Sequence, residues 1–370
     1  MLTGQQLFFT PDEYFNGLLA DIDNAKTRIL LEIYIFELDI IGSRVLEALQ
    51  RATARGVKLQ LLIDGVGSYR DANVIAERLN AANCELRVFH PLPWDFSLYR
   101  RALGAGRWYS NIMYLIASIN HRDHRKLCII DGNAAWLGSY NITDDHFNRQ
   151  ASASDDYWHD TGLRVTGPMV NTLSINFTEV WQRKTGSVGK RSLYFMASRE
   201  ISRRRQRKLQ LVHVLALARR RIWITNAYFN PTHRVLKVLK QKAINGISVK
   251  LIVPARSDVV FFPLLARSFY ADLLQAGIRV YEYDERLLHS KTMVIDDQGL
   301  VGSTNLNYRS LFHDRELDLL VDDDALVSRL QQRFESDIEN SIEITLRNPH
   351  KGRWLVRPLS WLARFLRYWL

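Results

Sequence analysis

The chain repeats itself, and that repeat constrains its fold more than any other feature. Arg28-Ile-Leu-Leu-Glu-Ile-Tyr-Ile-Phe36 matches Arg221-Ile-Trp-Ile-Thr-Asn-Ala-Tyr-Phe229. Both runs are apolar, rich in β-formers and bounded by polar residues, so both predict strands. Helix-like stretches follow, Arg44-Val-Leu-Glu-Ala-Leu49 and Arg234-Val-Leu-Lys-Val-Leu239. Then come Gly56-Val-Lys-Leu-Gln-Leu-Leu-Ile63 and Gly246-Ile-Ser-Val-Lys-Leu-Ile-Val253, at the same offset of 190 residues. A third pair, Leu86-Arg-Val88 and Ile278-Arg-Val280, sits at an offset of 192. Strands alternating with helices predict an α/β fold with largely parallel sheets, covered on both faces because the strands are nearly continuous apolar runs.

The repeat continues into polar motifs. The first copy carries His124-Arg-Lys126, then Asp131, then Gly138-Ser139-Tyr-Asn141. The second carries His289-Ser-Lys291, then Asp296, then Gly302-Ser303-Thr-Asn305. An apolar run between Lys and Asp predicts a strand, so His and Lys, two residues apart, share a face. Six fixed positions coincide by chance about once in 10⁷–10⁸ starting points. Two copies in matching places exclude coincidence and exceed what a buried structural histidine explains. A lysine beside each histidine opposes a bound cation, so no metal is expected. Two lysines, two amides and two hydroxyls suit an anion, and a phosphodiester fits because its oxygens need neutralising. Two histidines allow nucleophilic plus general acid–base catalysis, since imidazole titrates close to neutrality. His124 is taken as nucleophile and His289 as acid/base, although the symmetry leaves the order open. After each motif comes an acid leading into a strand, Asp160 and Glu316. Either could orient a histidine by accepting its Nδ1–H.

At this point the sequence resembles the phospholipase D superfamily, over roughly Ile29 to Val321. The pattern spans His124 to Asn141, and His289 to Asn305 with one residue fewer before its glycine. The resemblance implies two α/β lobes related by a pseudo-twofold axis, each with a mostly parallel sheet flanked by helices, and one shared central site. It implies a covalent phosphohistidine and no cofactor. It places His124, Lys126, Asp131, His289, Lys291 and Asp296 in the catalytic set, with the two aspartates mainly structural. Ser139, Asn141, Ser303 and Asn305 are expected on the phosphoryl group. The flanks, Asn120-His-Arg-Asp-His-Arg-Lys126, His159-Asp-Thr-Gly-Leu-Arg-Val-Thr-Gly-Pro168 and Asn305-Leu-Asn-Tyr-Arg-Ser310, are similar to those of bacterial cardiolipin synthases. These join two phosphatidylglycerols, and some accept phosphatidylethanolamine as donor. A hydrolase of the phospholipase D type and a nuclease of the same superfamily are the rival readings.

Composition bears on the partner. Fifty Lys and Arg against 39 Asp and Glu leave a charge of +11, which suits an anionic partner. Residues 351–370 hold five basic residues and no acid, with Arg353, Arg357, Arg364 and Arg367 on one helical face and Leu355, Leu359, Leu362, Phe365, Leu366 and Trp369 opposite. A cationic amphipathic segment with tryptophans is expected to lie in a membrane surface, although docking on the protein's own core is the alternative. Nucleic acid suits the charge but not this tail. Two cysteines exclude a disulfide framework. With no signal sequence and no spanning run, the expectation is a peripheral protein on the cytoplasmic face of the cell membrane. The expected domains are a first lobe at 1–184 with an insertion near 91–120, a basic connector at 185–214, a second lobe at 215–346 and the tail at 347–370.

Overall fold

The computed structural model describes residues 4–92, 94–102, 121–147, 157–182, 195–197, 201–259 and 261–346. Most of the expected insertion, part of the connector and the whole basic tail lie outside the described residues. The chain divides into two units. The first comprises Met1–Arg149, Gly162–Ser192 and Asp314–Leu317; the second comprises Gln150–Thr161, Leu193–His313 and Asp318–Leu370. Two short pieces therefore depart from the expected boundaries. Main-chain pairing is the reason: Leu287–Leu288 pairs in parallel with Trp158–His159, and Asp123 bridges Arg315 in parallel.

In the first unit the described sheet runs Gln5–Phe8, Gly162–Thr166, Ala134–Gly138, Leu127–Ile130, Arg28–Ile33, Lys58–Asp64 and Cys84–Phe89. The last three strands are mutually parallel, joined through the helices Ile40–Ala54 and Ala72–Arg78. The others pair antiparallel, because the motif strands form a hairpin that turns straight back. The parallel expectation thus holds for the βαβαβ part, and the sheet as a whole is mixed. Ile29, Leu31 and Ile33 pack against Leu18, Ile22, Val45 and Leu49 of the helices Pro11–Asp23 and Ile40–Ala54. Leu30 and Leu62 alternate to the opposite face and are also buried, as are Val170, Leu173 and Phe177 of the helix Pro168–Trp181. Asp39 caps its helix by accepting from Gly42 N at 2.9 Å.

The second unit repeats this order. Its described sheet runs Ser341–Ile344, Arg279–Tyr283, Ser248–Pro254, Arg221–Asn226, Lys291–Ile295, Gln298–Gly302, Leu317–Val321 and Phe195–Ala197. Arg221–Asn226, Ser248–Pro254 and Arg279–Tyr283 are again parallel. The basic stretch expected as a connector is helical over Ile201–Leu217. Leu211 and Leu215 of that helix, one turn apart, are buried in this unit's core, so the connector ends earlier than its charge suggests.

Candidate functional site

Each motif occupies the same place in its unit, ahead of and along the strand that pairs antiparallel with the first parallel strand. His124–Lys126 run just ahead of the strand Leu127–Ile130; there Lys126 stands by Tyr34 and the His124 carbonyl, while Arg125 turns to Glu32 and Asn176. Lys126 is 2% exposed and donates from Nζ to the carbonyl of His124 at 2.8 Å. Lys291 donates likewise to the carbonyl of His289. Each ammonium is thereby held beside its own histidine. Aromatic rings complete the setting. Tyr34 lies 4.8 Å from the His124 ring, and Lys126 Nζ is 5.2 Å from Tyr34. Trp158 lies 4.4 Å from the His289 ring, with Tyr228 at 6.2 Å. Tyr34 is itself fixed by a close approach: its carbonyl accepts from Ser68 Oγ at 3.0 Å, and a Cβ at Gly67 would meet that carbonyl oxygen at 2.2 Å.

The acids are exchanged between the repeats. His124 Nδ1 meets Glu316 Oε2 at 3.3 Å, across 192 residues. His289 Nδ1 meets Asp160 Oδ1 at 2.8 Å, across 129 residues. The register explains both contacts. Asp123 bridges Arg315, and Leu288 pairs with His159, so the next residue on each segment stands beside its partner. His124 N donates to the Arg315 carbonyl at 3.0 Å and His289 N to the His159 carbonyl at 2.9 Å. A carboxylate only accepts, so Nδ1 carries the proton and Nε2 is the nitrogen turned away from the acid. Glu316 and Asp160 are fully buried, while the His124 and His289 side chains are 12% and 7% exposed.

Ser139, Asn141, Ser303 and Asn305 follow the second strand of each hairpin, all buried. Among the described residues, both polar side-chain atoms of Asn141, and Oδ1 of Asn305, have no hydrogen-bond partner. Buried amides in that condition are open to a partner, whether water or a bound group. Among the described residues no three His, Cys, Asp or Glu side chains come together as a metal-ligand set.

Asp131 and Asp296, expected in the catalytic set in mainly structural roles, stand apart from the histidines. They occupy the hairpin turns with left-handed φ of 54° and 52°. At about 3.3 Å per residue, five residues of strand put each of them about 16 Å from its lysine. Asp131 accepts from Lys26 N, Thr27 N and Arg28 N at 2.7–3.0 Å, and Asp296 from Arg219 N, Arg220 N and Arg221 N at 2.8–3.0 Å. Each pins the start of its unit's first parallel strand. Partial burial pushes both carboxyls up, but the N–H donors outweigh it and hold them below the ordinary range. The one-residue difference between the motifs also lies in these turns. Ile130 pairs with Ala134 across three turn residues, whereas Ile295 pairs with Gln298 across two.

Sequence reading missed Tyr34, Tyr228 and Trp158, and it missed the groups behind His124. Arg125 is fully buried and reaches Glu32, Asp123 Oδ1 at 3.2 Å and Asn176 Oδ1 at 2.7 Å. Arg315 reaches Asp123 Oδ2 at 3.4 Å. Burial drives the Asp123 carboxyl up, yet Arg125 and Arg315 more than offset this and hold it at about 2. Burial raises Glu32 well above the usual range despite Arg125. A signal was available: Arg122-Asp123 and Asp314-Arg315 are mirrored charge pairs just ahead of a motif histidine and a motif acid.

A family model described as the cardiolipin synthase, PLD-like domain matches residues 18–156 and again 211–338. The chain belongs to this family of the phospholipase D superfamily. It is 31% identical over 361 residues to cardiolipin synthase 2 of Bacillus anthracis, covering 92% of this chain and 66% of that protein. It is 29% identical over 371 residues to cardiolipin synthase 1 of Staphylococcus epidermidis, covering 96% and 70%. The chain thus spans about two thirds of the length of these relatives. A phosphatidylserine synthase from Haemophilus influenzae shares the fold, with a TM-score of 0.70 at 14% identity over 99% of this chain and 95% of that one. A polyphosphate kinase from Porphyromonas gingivalis shares it at a TM-score of 0.59 and 13% identity, over 98% of this chain and 55% of that one. No helix among the described residues is long and apolar enough to cross a membrane.

Proposed function

We propose that the protein transfers a phosphatidyl group between phospholipids, joining two phosphatidylglycerols, or phosphatidylglycerol and phosphatidylethanolamine, into cardiolipin. One observation carries the reading: a chain of this family holds two complete His–Lys–carboxylate sets, each with a buried, unsatisfied asparagine. One set alone supplies a nucleophile or a proton donor, not both, so the transfer calls on both sets. In the first step Nε2 of one histidine attacks phosphorus, and a P–N bond forms. The bond from phosphorus to the leaving headgroup oxygen breaks, and the other imidazolium gives that oxygen its proton. In the second step the now neutral imidazole takes the proton of the incoming lipid's hydroxyl. That oxygen attacks phosphorus and the P–N bond breaks. Lys126, Lys291, Asn141 and Asn305, with Ser139 and Ser303, neutralise the phosphoryl oxygens. Glu316 and Asp160 hold the imidazoles in the tautomer that exposes Nε2.

The family relationship and the basic charge support work at an anionic membrane face, on its cytoplasmic side, with residues 347–370 lying in the surface. The test uses the full chain and vesicles of phosphatidylglycerol carrying ³²P. Quenching in alkaline detergent, which preserves a P–N bond, should trap label on the chain, cardiolipin and glycerol should accumulate, and His124→Ala and His289→Ala should each abolish turnover. Near-normal turnover in either variant removes the two-histidine relay, and phosphatidic acid as the sole product makes water the acceptor.

A further inference from the structure

The two dyads are braced differently. The residue between His and Lys is Arg125 in the first motif and Ser290 in the second. Ser290 Oγ meets Thr161 Oγ1 at 2.8 Å, a neutral pair of hydroxyls linking the two segments that carry His289 and Asp160. At the corresponding place behind His124 stands a cluster of buried charge. Arg125 binds Glu32, Asp123 and Asn176. Asp123 binds Arg315, and its own N–H donates to Asp64 Oδ2 at 2.9 Å. Arg315 also lies over the Phe89 ring at 4.3 Å. Arg122 N donates to Asp314 Oδ1 at 3.1 Å, a second tie between the same two segments.

This cluster stands where the geometry of the dyad is set. Arg315 donates its N–H to the Arg122 carbonyl at 2.9 Å and accepts from His124 N at 3.0 Å. Those two main-chain bonds fix where Glu316, the next residue, meets His124. The Asp123–Arg315 side-chain pair spans the same two segments. Buried charges are costly to desolvate, and apolar groups of similar volume commonly stabilise a fold as well or better. Behind His289 charge is present too, but on one segment: His159, the residue before Asp160, meets Asp337 Oδ1 at 2.9 Å, and Arg333 pairs with Asp337, while Thr161 and Ser290 tie the two segments together. Behind His124 the charged pair Asp123–Arg315 itself spans the two segments.

We propose that Asp123, Arg125 and Arg315 are positioning residues for the His124–Glu316 dyad, a charge-built brace across its two segments, where the segments of His289–Asp160 are tied by the Thr161–Ser290 hydroxyls. None of the three touches the reacting atoms. They act through Glu316 and through the main chain at His124. The brace rests on the proposed chemistry only for its kinetic consequence, and its structural part is read without turnover.

The test uses low-field proton NMR of the full chain, following the two Nδ1–H resonances assigned with His124→Ala and His289→Ala. Arg315→Ala should shift or broaden the His124 resonance and leave that of His289 in place. Thr161→Ala with Ser290→Ala should do the reverse. On phosphatidylglycerol vesicles Arg315→Ala should lower kcat by about 10²-fold, the scale of a small misplacement, with KM within about twofold, and Arg315→Lys should recover part of it. Asp123→Asn keeps the main-chain bridge and the stacking on Phe89, so it carries the same test if Arg315→Ala does not fold. Glu32→Gln with Arg125→Met removes charges in pairs and should also disturb only the His124 signal. An unmoved His124 resonance with unchanged kcat overturns the proposal, as does an equal shift of both resonances. A selective shift in a chain that makes no cardiolipin keeps the brace and discards the proposed activity.

Discussion

Replacing Asp160 by asparagine removes a charge while keeping the shape of the group that His289 Nδ1 meets at 2.8 Å. Its counterpart, Glu316→Gln, acts on a contact of 3.3 Å to a more exposed histidine. A hydrogen bond to a charged group contributes about 1.5–3 kcal/mol. At about 1.4 kcal/mol per tenfold change in rate, that is a loss of roughly 10- to 150-fold. The shorter, more buried pair belongs at the upper end and the longer at the lower. Asp160→Asn is therefore expected to lower kcat about 100-fold and Glu316→Gln about 10-fold. An amide nitrogen can also turn toward the ring and force Nδ1 to accept, moving the proton onto the reactive nitrogen, which adds to either loss. Initial rates of cardiolipin formation in phosphatidylglycerol vesicles, compared at matched folding by circular dichroism, measure both. A larger loss for Glu316→Gln, or losses under about threefold for both, would refute the link between these contacts and the chemistry.

Lys126→Met and Lys291→Met should each lower kcat by about 10²–10³-fold, the scale for removing one preorganised oxyanion donor, and should weaken protection by inorganic phosphate in a thermal-shift assay. Asp131→Asn and Asp296→Asn should leave kcat unchanged while lowering Tm by a few degrees at most, because both residues are only partly buried and their carboxyls partly solvent-screened. Their folded pKa lies below the unfolded value, so the stabilisation is present above about pH 4 and is lost as pH falls through the folded value. Thermal unfolding of wild type and variant should therefore converge in acid. Gly67→Ala places a methyl against the Tyr34 carbonyl. It should cost about 1–3 kcal/mol in urea unfolding and lower kcat through the displaced Tyr34 ring.

Much of the molecule was legible because duplication and alternation are local properties. The apolar runs at Arg28 and Arg221 specified strands, and two-residue spacing put His124 beside Lys126 without any knowledge of the tertiary fold. The single-residue difference between the motifs was visible too, as the longer of two hairpin turns. The connector was misjudged because its arginines masked Leu211 and Leu215, a single helical turn of core contact. The two aspartates were readable as motif members but not as turn residues, since their partners lie 75 to 105 residues away.

The sequence by itself determined which side chains exist in pairs and which neighbours along a strand share a face, because backbone geometry imposes that alternation wherever a strand forms. Only the tertiary structure decided that Asp160 meets His289 and Glu316 meets His124. That choice comes from parallel pairing of segments 129 and 192 residues apart, and no local pattern encodes which of two matching strands will lie alongside.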